Sequence, residues 1–346
     1  MEVSARSGSV DDKEEIKKAI LRRFYDGAFK DGVDYQFGLR AYAEEKGIGW
    51  ELINEIYDEL DDASFFGICC TSMVVEPSVK ALVYCEDHQL VDPALVEQQK
   101  GIRKRILEAF ADILEEKLNR YAYGGIDSDM ICKRAGISFQ DFSNNAGILE
   151  YLDYLERQRP VFIWRITDKG KDAVKNLRRK RARQMAFNDL KAGIVTPQER
   201  GHRIEDLLVE VIRDEGWNAT PRVRAEGVEH DILFNKDRDY FLVSCKWLSE
   251  KVQWIDVSPL ISEAEGAGCY AGIVISMSGF TEECIGRVRA RKTPQKILLF
   301  GHKDVELLFS NAEEVFSEKQ WFTDLLDEKI KKLVHQNIIL VDGVSN

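Results

Sequence analysis

The chain has 346 residues, 44% of them apolar, 32% charged and 10% aromatic, which excludes collagen-like, low-complexity and wholly disordered proteins. No stretch approaches the roughly 20 uncharged apolar residues of a membrane helix, and MEVSARSGSVDDKEEIKK has no apolar signal-peptide core, so no membrane partner is expected. Taken whole, the formal net charge of -11 argues against a nonspecific polyanion binder.

The average hides a change of sign. Residues 1–100 carry a net -10, residues 101–200 a net +6 and residues 201–346 a net -7. Arg157 to Arg183 holds 11 Lys/Arg against two Asp and includes LRRKRAR. A solvated helix face explains part of that density, but so many cations repel one another unless a polyanion is near, which points to nucleic acid. The seven cysteines form no CxxC pair and have no histidine at ligand spacing. A zinc site or disulfide framework is therefore not expected, and a reducing, cytoplasmic location is.

In chain order, EEIKKAILRRFYDG, LRAYAEEKG and GWELINEIYDEL read as helices, followed by the β-prone runs FFGICCTSMVV and KALVYCED. The order returns from residue 101. IRKRILEAFADILEEKLNRY has apolar residues three to four apart, SDMICKRAG ends in a C-cap glycine, Gly136, and Ser138-x-x-Asp141 opens a further helix as a capping box. Two short helices about a glycine-containing turn describe a helix-turn-helix. After them, ILEYLDYLERQRPVFIWRITDKGKDAVKNL gives a helix, a Pro-marked turn, a strand, a tight DKG turn and a long basic helix.

This stretch resembles the end of a winged-helix domain, whose last wing strand often finishes in T-x-x-G before the closing helix. The resemblance covers residues 101–184; over 13–90 it rests on the element pattern alone. It implies two N-terminal winged helix-turn-helix domains of α+β class, 1–95 and 96–184. The first ends its helix in acidic DELDDA and lacks the cations that phosphate contact needs, so a protein partner is the favoured reading there. For the second, double-stranded DNA is favoured. Ser138, Gln140, Ser143, Asn144 and Asn145 would reach bases or phosphates, Arg157, Arg159 and Arg165 would flank the wing, and Lys169, Arg178, Arg179, Lys180, Arg181 and Arg183 would extend the basic surface.

Residues 185–200 read as a linker closing in a Thr-Pro helix start. The helix GHRIEDLLVEVIRDEGW follows, then the strands ATPRVRAE, VEHDILF and DYFLVSCKW, with Asn235 to Asp239 as a hairpin turn. Helices then alternate with the apolar runs YAGIVISMS and KILLFG. The order αβββαβαβα marks residues 201–346 as an α/β domain whose sheet is covered on both faces. Beyond residue 310 an amphipathic helix and a final strand are expected, with Phe316, Trp321, Leu325 and Ile330 burying against the core, the commoner case, or against a partner chain.

Period two places Leu242, Ser244 and Lys246 on one face of their strand and Val243, Cys245 and Trp247 on the other. A lysine inside an apolar strand needs anionic company, and Asp231 on the hairpin partner can face it. Glu205 on the opening helix can add a second carboxylate. Such a trio can bind Mg²⁺ and orient a water, or it can be an ion pair closing a sheet edge. His230 is expected to point away from Asp231 as a structural residue, and His202 and His302 to cap helices or face solvent.

Gly201 to Phe309 resembles the endonuclease domain of Mrr-like type IV restriction enzymes, within the PD-(D/E)XK superfamily. The matching pieces are IED with Glu205, a G-x-x-x-DI element ending at Asp231, FLVSCKW with Lys246, GIVISMSGFTEE and KILLFGHKDVELL. The resemblance implies a restriction-endonuclease-like domain with a mixed central sheet, dependent on Mg²⁺ or Mn²⁺. Asp231, Glu205 and Glu263 would be the metal ligands, Lys246 would stabilise the charged phosphate, and a homodimer would serve prokaryotic defence. Where the family has Gln or Glu two residues before the lysine, this chain has Ser244, a far poorer ligand. Either Glu263 or Glu265 on the next helix supplies the missing carboxylate, or the domain is an inactive DNA-binding subunit.

Overall fold

A computed structural model describes residues 10–31, 37–66, 74–116, 125–158, 163–193, 195–225, 228–291, 295–310, 316 and 319–345. The chain divides into two compact units, Met1–Lys175 and Asn176–Asn346. No helix among the described residues is long and apolar enough to cross a membrane.

The first unit begins with α1 (Val10–Asp26), a π-helical turn (Gly27–Asp31), β1 (Phe37–Gly38), α2 (Leu39–Lys46) and α3 (Trp50–Asp62). It continues through β2 (Val74–Val75), α4 (Val79–Asp87), α5 (Pro93–Glu116), β3 (Ile126–Asp127), α6 (Ser128–Ala135) and α7 (Phe139–Tyr151). Last come β4 (Leu155–Gln158), β5 (Ile163–Ile166) and the start of α8 (Asp168–Lys191). Strands pair antiparallel as β1-β2 and in the order β3-β5-β4.

Gly136 ends α6 at φ +63° as expected, and Ser138 Oγ accepts the Asp141 N–H at 3.0 Å to open α7, but the Asp141 carboxylate accepts from the Ser138 hydroxyl, so the expected capping box is only half formed. Two expectations are corrected. KALVYCED is α4, because Ala81, Leu82 and Cys85 bury one helical face and Ser78 caps it; of FFGICCTSMVV, residues 67–73 lie outside the described residues. The DKG segment is the first turn of α8 rather than a separate turn. Thr167 Oγ1 accepts the Gly170 N–H at 3.0 Å, and a Cβ on Gly170 would lie 2.4 Å from the Tyr154 carbonyl oxygen, so only glycine fits this closing contact.

The second unit holds the rest of α8, α9 (Pro197–Asp214), β6 (Asn218–Ala225), β7 (Val228–Lys236), β8 (Asp239–Lys246) and α10 (Trp254–Gly266). Then follow β9 (Ala271–Ser276), α11 (Glu282–Ala290), β10 (Lys296–Phe300), α12 (His302–Ser310), α13 (Trp321–Gln336), β11 (Leu340–Val341) and β12 (Val344–Ser345). Residues 185–191, read as linker, are helical. Phe187 and Leu190 are buried in this unit's core, which extends α8 to Lys191.

The sheet order is β10-β9-β8-β7-β6, antiparallel from β6 to β8 and parallel from β8 to β10, a mixed sheet. One face packs Ile232, Phe234, Phe241, Val243 and Ile273 against Ile204, Leu208 and Ile212 of α9. The other packs Leu242, Val274 and Leu299 against Val257, Leu260 and Ile261 of α10 and Cys284 and Val288 of α11. Every residue of β9 is buried, as expected of a strand covered on both faces.

Candidate active site

The hairpin of β7 and β8 pairs from Lys236↔Asp239 to Ile232↔Val243, and there its ladder ends. Asp231, the next residue, fills the opening: its Oδ2 accepts the Cys245 backbone N–H at 2.6 Å. On the other side of β7 the ladder with β6 pairs Pro221↔Ile232 and Val223↔His230 but skips the rung between Arg222 and Asp231. Arg222 has φ +50°, a left-handed conformation costly for any residue but glycine. The irregularity inverts the alternation of side chains. Ile232 lies in the core under α9, yet His230, two residues away, turns to α10, its Nδ1 3.4 Å from Glu263 Oε2. Asp231 is thereby freed from the α10 side and lies electrostatically beside Glu205 of α9.

Thr196 and Pro197 open α9 as cap and first residue, and its apolar stripe at Ile204, Leu207, Leu208 and Val211 draws Glu205, 6% exposed, to the sheet. Burial raises the Glu205 pKa above the usual carboxylate range, and the Asp231 charge raises it further; His202 and Arg222 oppose both. The two cations approach one oxygen. Glu205 Oε2 lies 3.4 Å from Arg222 Nη1 and 3.6 Å from His202 Nδ1. The other Arg222 nitrogen, Nη2, donates to Asp206 Oδ1 at 2.7 Å.

Lys246 ends β8, in register with Ser276 of β9. The Cys245 thiol marks where the groups converge. Burial pushes its pKa well above the ordinary value, the negative charges of Asp231 and Glu205 push the same way, and Lys246 pulls it down. Asp231 thus touches Cys245, and Glu205 and Lys246 lie within electrostatic reach of the same residue. The geometry differs from the expectation in two respects. Asp231 is held by the Cys245 N–H, and no ion pair engages the Lys246 ammonium among the described residues. Glu263 meets His230 rather than Asp231, and Glu265 is exposed. Ser244 is half-buried beside Val274 of β9.

Among the described residues no group of three or more His, Cys, Asp or Glu side chains could hold a metal ion. The donor set still fits a divalent cation of one kind. Mg²⁺ commonly takes one or two protein carboxylates and completes its shell with water and substrate phosphate. Glu205 and Asp231, each engaged through a single oxygen, offer that pair.

Arg222 and the basic collar around α9 were not legible beforehand. Arg200 lies over the Trp247 ring at 4.8 Å, and His202, exposed as expected, also approaches Glu205. The only sequence signal was Pro221, which marks an edge strand or irregular pairing just before Arg222.

The expected DNA contacts fare less well. Asn145 is fully buried: its Oδ1 accepts from Arg103 at 3.0 Å and its Nδ2 donates to Gln99 at 2.9 Å. Asn144 donates to the Ala28 carbonyl, and with Ser143, Val79 and Arg157 it lines a cavity of about 190 Å³. This face of α7 packs on the first half of its unit and cannot enter a groove. Ser138 is committed to its cap, and Gln140 is half-buried. Arg157 lies 4.6 Å from the Trp164 ring centroid and 3.6 Å from Glu150, and Lys169 donates to the Leu152 carbonyl at 2.8 Å. Arg165 pairs in register with Glu156, and Arg159 lies outside the described residues.

On α8, Arg179 and the buried Arg183 both bind Asp214, at 2.8 and 2.6 Å, whereas Arg178, Lys180 and Arg181 are half-buried. Much of the basic run therefore has structural partners. Asn145→Ala is expected to lower the stability of the first unit by about 1–3 kcal/mol, through unpaired Arg103 and Gln99. DNA affinity at fixed salt should not move; a tenfold loss of affinity without a lower melting temperature would restore the recognition role.

Residues 197–308 match the family model described as a restriction endonuclease, the Mrr catalytic domain. Among solved structures the chain is similar to "Crystal Structure of Protein of Unknown Function AF1548", with 15% identity over 38% of this chain and 76% of that one and a TM-score of 0.29. It is also similar to the restriction endonuclease FokI bound to DNA, with 11% identity over 90% of this chain and 72% of that one and a TM-score of 0.27. For FokI in a second structure the identity is 11% over 90% of this chain and 73% of that one, with a TM-score of 0.29. No curated protein matches the chain. Glu205, Asp231 and Lys246 all lie within the segment that matches this restriction endonuclease model.

Proposed function

We propose that the chain is a metal-dependent endonuclease that hydrolyses phosphodiester bonds of double-stranded DNA. The observation that carries this reading is Asp231 held on the Cys245 N–H where β7 and β8 part, with Glu205 and Lys246 in electrostatic reach of that residue, inside the segment that matches the endonuclease model. When bound by Asp231 and Glu205, Mg²⁺ or Mn²⁺ supplies charge to offset the phosphate and acidifies a water. The chain's own part follows from its geometry. The Cys245 N–H fixes the Asp231 carboxylate, α9 brings Glu205 beside it, and Lys246 keeps its ammonium for the substrate's phosphate.

The helices α5, α6 and α7 with the β3-β5-β4 sheet follow winged-helix order, and we assign residues 96–184 to that fold and 1–95 to a degenerate copy. Because α7 is covered, DNA contact is assigned to the β4–β5 wing and to exposed Lys171 and Lys175 of α8. The first copy is assigned a protein partner. A homodimer would provide the two sites that double-strand cleavage needs, in prokaryotic defence.

A second reading, a non-catalytic DNA-binding subunit, is favoured by Ser244 and by the engagement of Glu263 with His230. Nicking of supercoiled plasmid in Mn²⁺ separates the two. Wild-type protein should nick and Asp231→Asn should not; equal nicking by both would mean contamination and sink the enzymatic reading. DNA binding that stays flat between low and moderate salt would contradict phosphate-driven contact.

A further inference from the structure

Sequence reading passed over Arg222 at the candidate site, and three observations single it out. Its φ of +50° is sustained in the interior of β6, next to the rung where pairing with Asp231 is skipped. Non-glycine residues stay in that region only where their surroundings hold them, and such positions concentrate at functional sites. Its guanidinium spans neighbouring carboxylates, with Nη2 2.7 Å from Asp206 Oδ1 and Nη1 3.4 Å from Glu205 Oε2. Glu205 is buried, whereas the Arg222 side chain keeps 36% of its surface exposed and has room to leave.

We infer that Arg222 is the resident counter-cation of Glu205, which gives up that carboxylate when a divalent cation takes it and then offers its guanidinium to a DNA phosphate. The inference rests on the metal-dependent reading of the site. Two carboxylates side by side in a half-buried place repel each other, and the free protein needs positive charge there. Arg222 supplies it without ligating anything. At 3.4 Å its contact with Glu205 is the looser of its two, while the Asp206 contact keeps the side chain nearby after release. A guanidinium suits both roles, because its planar donors match carboxylate and phosphate alike. The left-handed backbone places the side chain on the carboxylates when regular pairing would not. Arg222 is thus a positioning residue in the free protein and a phosphate contact in the complex.

The opposite role, holding Glu205 in a shape that the metal requires, predicts the opposite result. Mn²⁺ alone is the probe, titrated into the full-length protein with free Mn²⁺ followed by electron paramagnetic resonance. Arg222→Gln should bind Mn²⁺ about three- to tenfold more tightly than wild type, since a competing cation a few ångströms away is gone. Arg222→Lys, which keeps the charge, should stay near wild type, and Arg222→Gln should weaken binding to a short duplex in Ca²⁺. Arg222→Gly should melt above Arg222→Ala, because both lose the side chain but only glycine accepts the φ. Mn²⁺ affinity that is unchanged or lower in Arg222→Gln overturns the inference. Glu205→Gln and Asp231→Asn separate that failure from a failure of the site. If both bind Mn²⁺ like wild type, or wild type binds none, the metal-site reading falls and the inference with it.

Discussion

Replacing Lys246 by alanine is expected to slow Mn²⁺-dependent nicking by roughly 10²–10³-fold, the usual loss when one donor to a developing oxyanion is removed. The melting temperature should hardly change. Lys246 is half-buried at the end of β8, and among the described residues no ion pair engages its ammonium. Partly desolvating a lone cation is unfavourable, so the folded state gains little from its presence. A cation kept without an ion pair, within Coulombic reach of the same thiol as Asp231 and Glu205, fits the proposed contact with a substrate phosphate. Lys246→Arg should restore little, because a forked planar guanidinium does not replace a compact ammonium at one phosphate oxygen. Single-turnover nicking is the measurement, with circular dichroism melts beside it. Nicking by Lys246→Ala within threefold of an active wild type would remove the lysine from the chemistry.

The α/β half was legible because its signals are local and redundant. Apolar runs such as AGIVIS could only be strands covered on both faces, and the stripe on α9 fixed which side of the helix met the sheet. Asp231 and Lys246 were singled out by their chemistry, since both types are costly in apolar strands. What period two could not supply was the break at Asp231. Strict alternation aims Asp231 at Lys246, whereas the skipped rung and the left-handed Arg222 turn it to α9 and to the Cys245 N–H.

The same limit applies at α7. Ser143, Asn144 and Asn145 look like a polar reading face in sequence, but helical position says nothing of what covers a face. Here the cover is α4 and the π-helical turn, packed by residues more than 60 positions earlier. KALVYCED misled for a related reason. Its β-branched and aromatic residues suggested a strand, and burial of one helical face overrode that weak local preference.

A second lysine should behave in the reverse manner. Lys329→Ala is expected to destabilise the second unit by about 3–5 kcal/mol, the range for removing one partner of a buried ion pair. Lys329 is 2% exposed on α13, and each of its ammonium protons has an acceptor. The Leu299 carbonyl accepts at 2.9 Å, the Leu340 carbonyl at 2.6 Å and Asp304 Oδ2 at 2.9 Å. Burial lowers the Lys329 pKa while Asp304 raises it, so the pair stands against a strong desolvation penalty.

Truncation would leave the buried Asp304 carboxylate without its cation and two carbonyls unpaired. The damage would spread, because Asp304 Oδ2 also accepts the Gly301 and Asp342 N–H groups, and Asp342 Oδ1 accepts the Lys303 N–H at the start of α12. A Cβ on Gly301 would lie 2.3 Å from that Asp342 carboxylate, so the strand end, α12 and the terminal hairpin close on one another through these groups. Lys329→Met fills similar volume and separates packing from pairing: it should recover less than half of the loss. Amide hydrogen exchange of β10 and α13 reads the effect within the full chain, with protection expected to fall by at least a hundredfold in Lys329→Ala. Protection within a few fold of wild type would mean that water or another cation satisfies Asp304, and that the buried pair does not hold the C-terminal elements on the sheet.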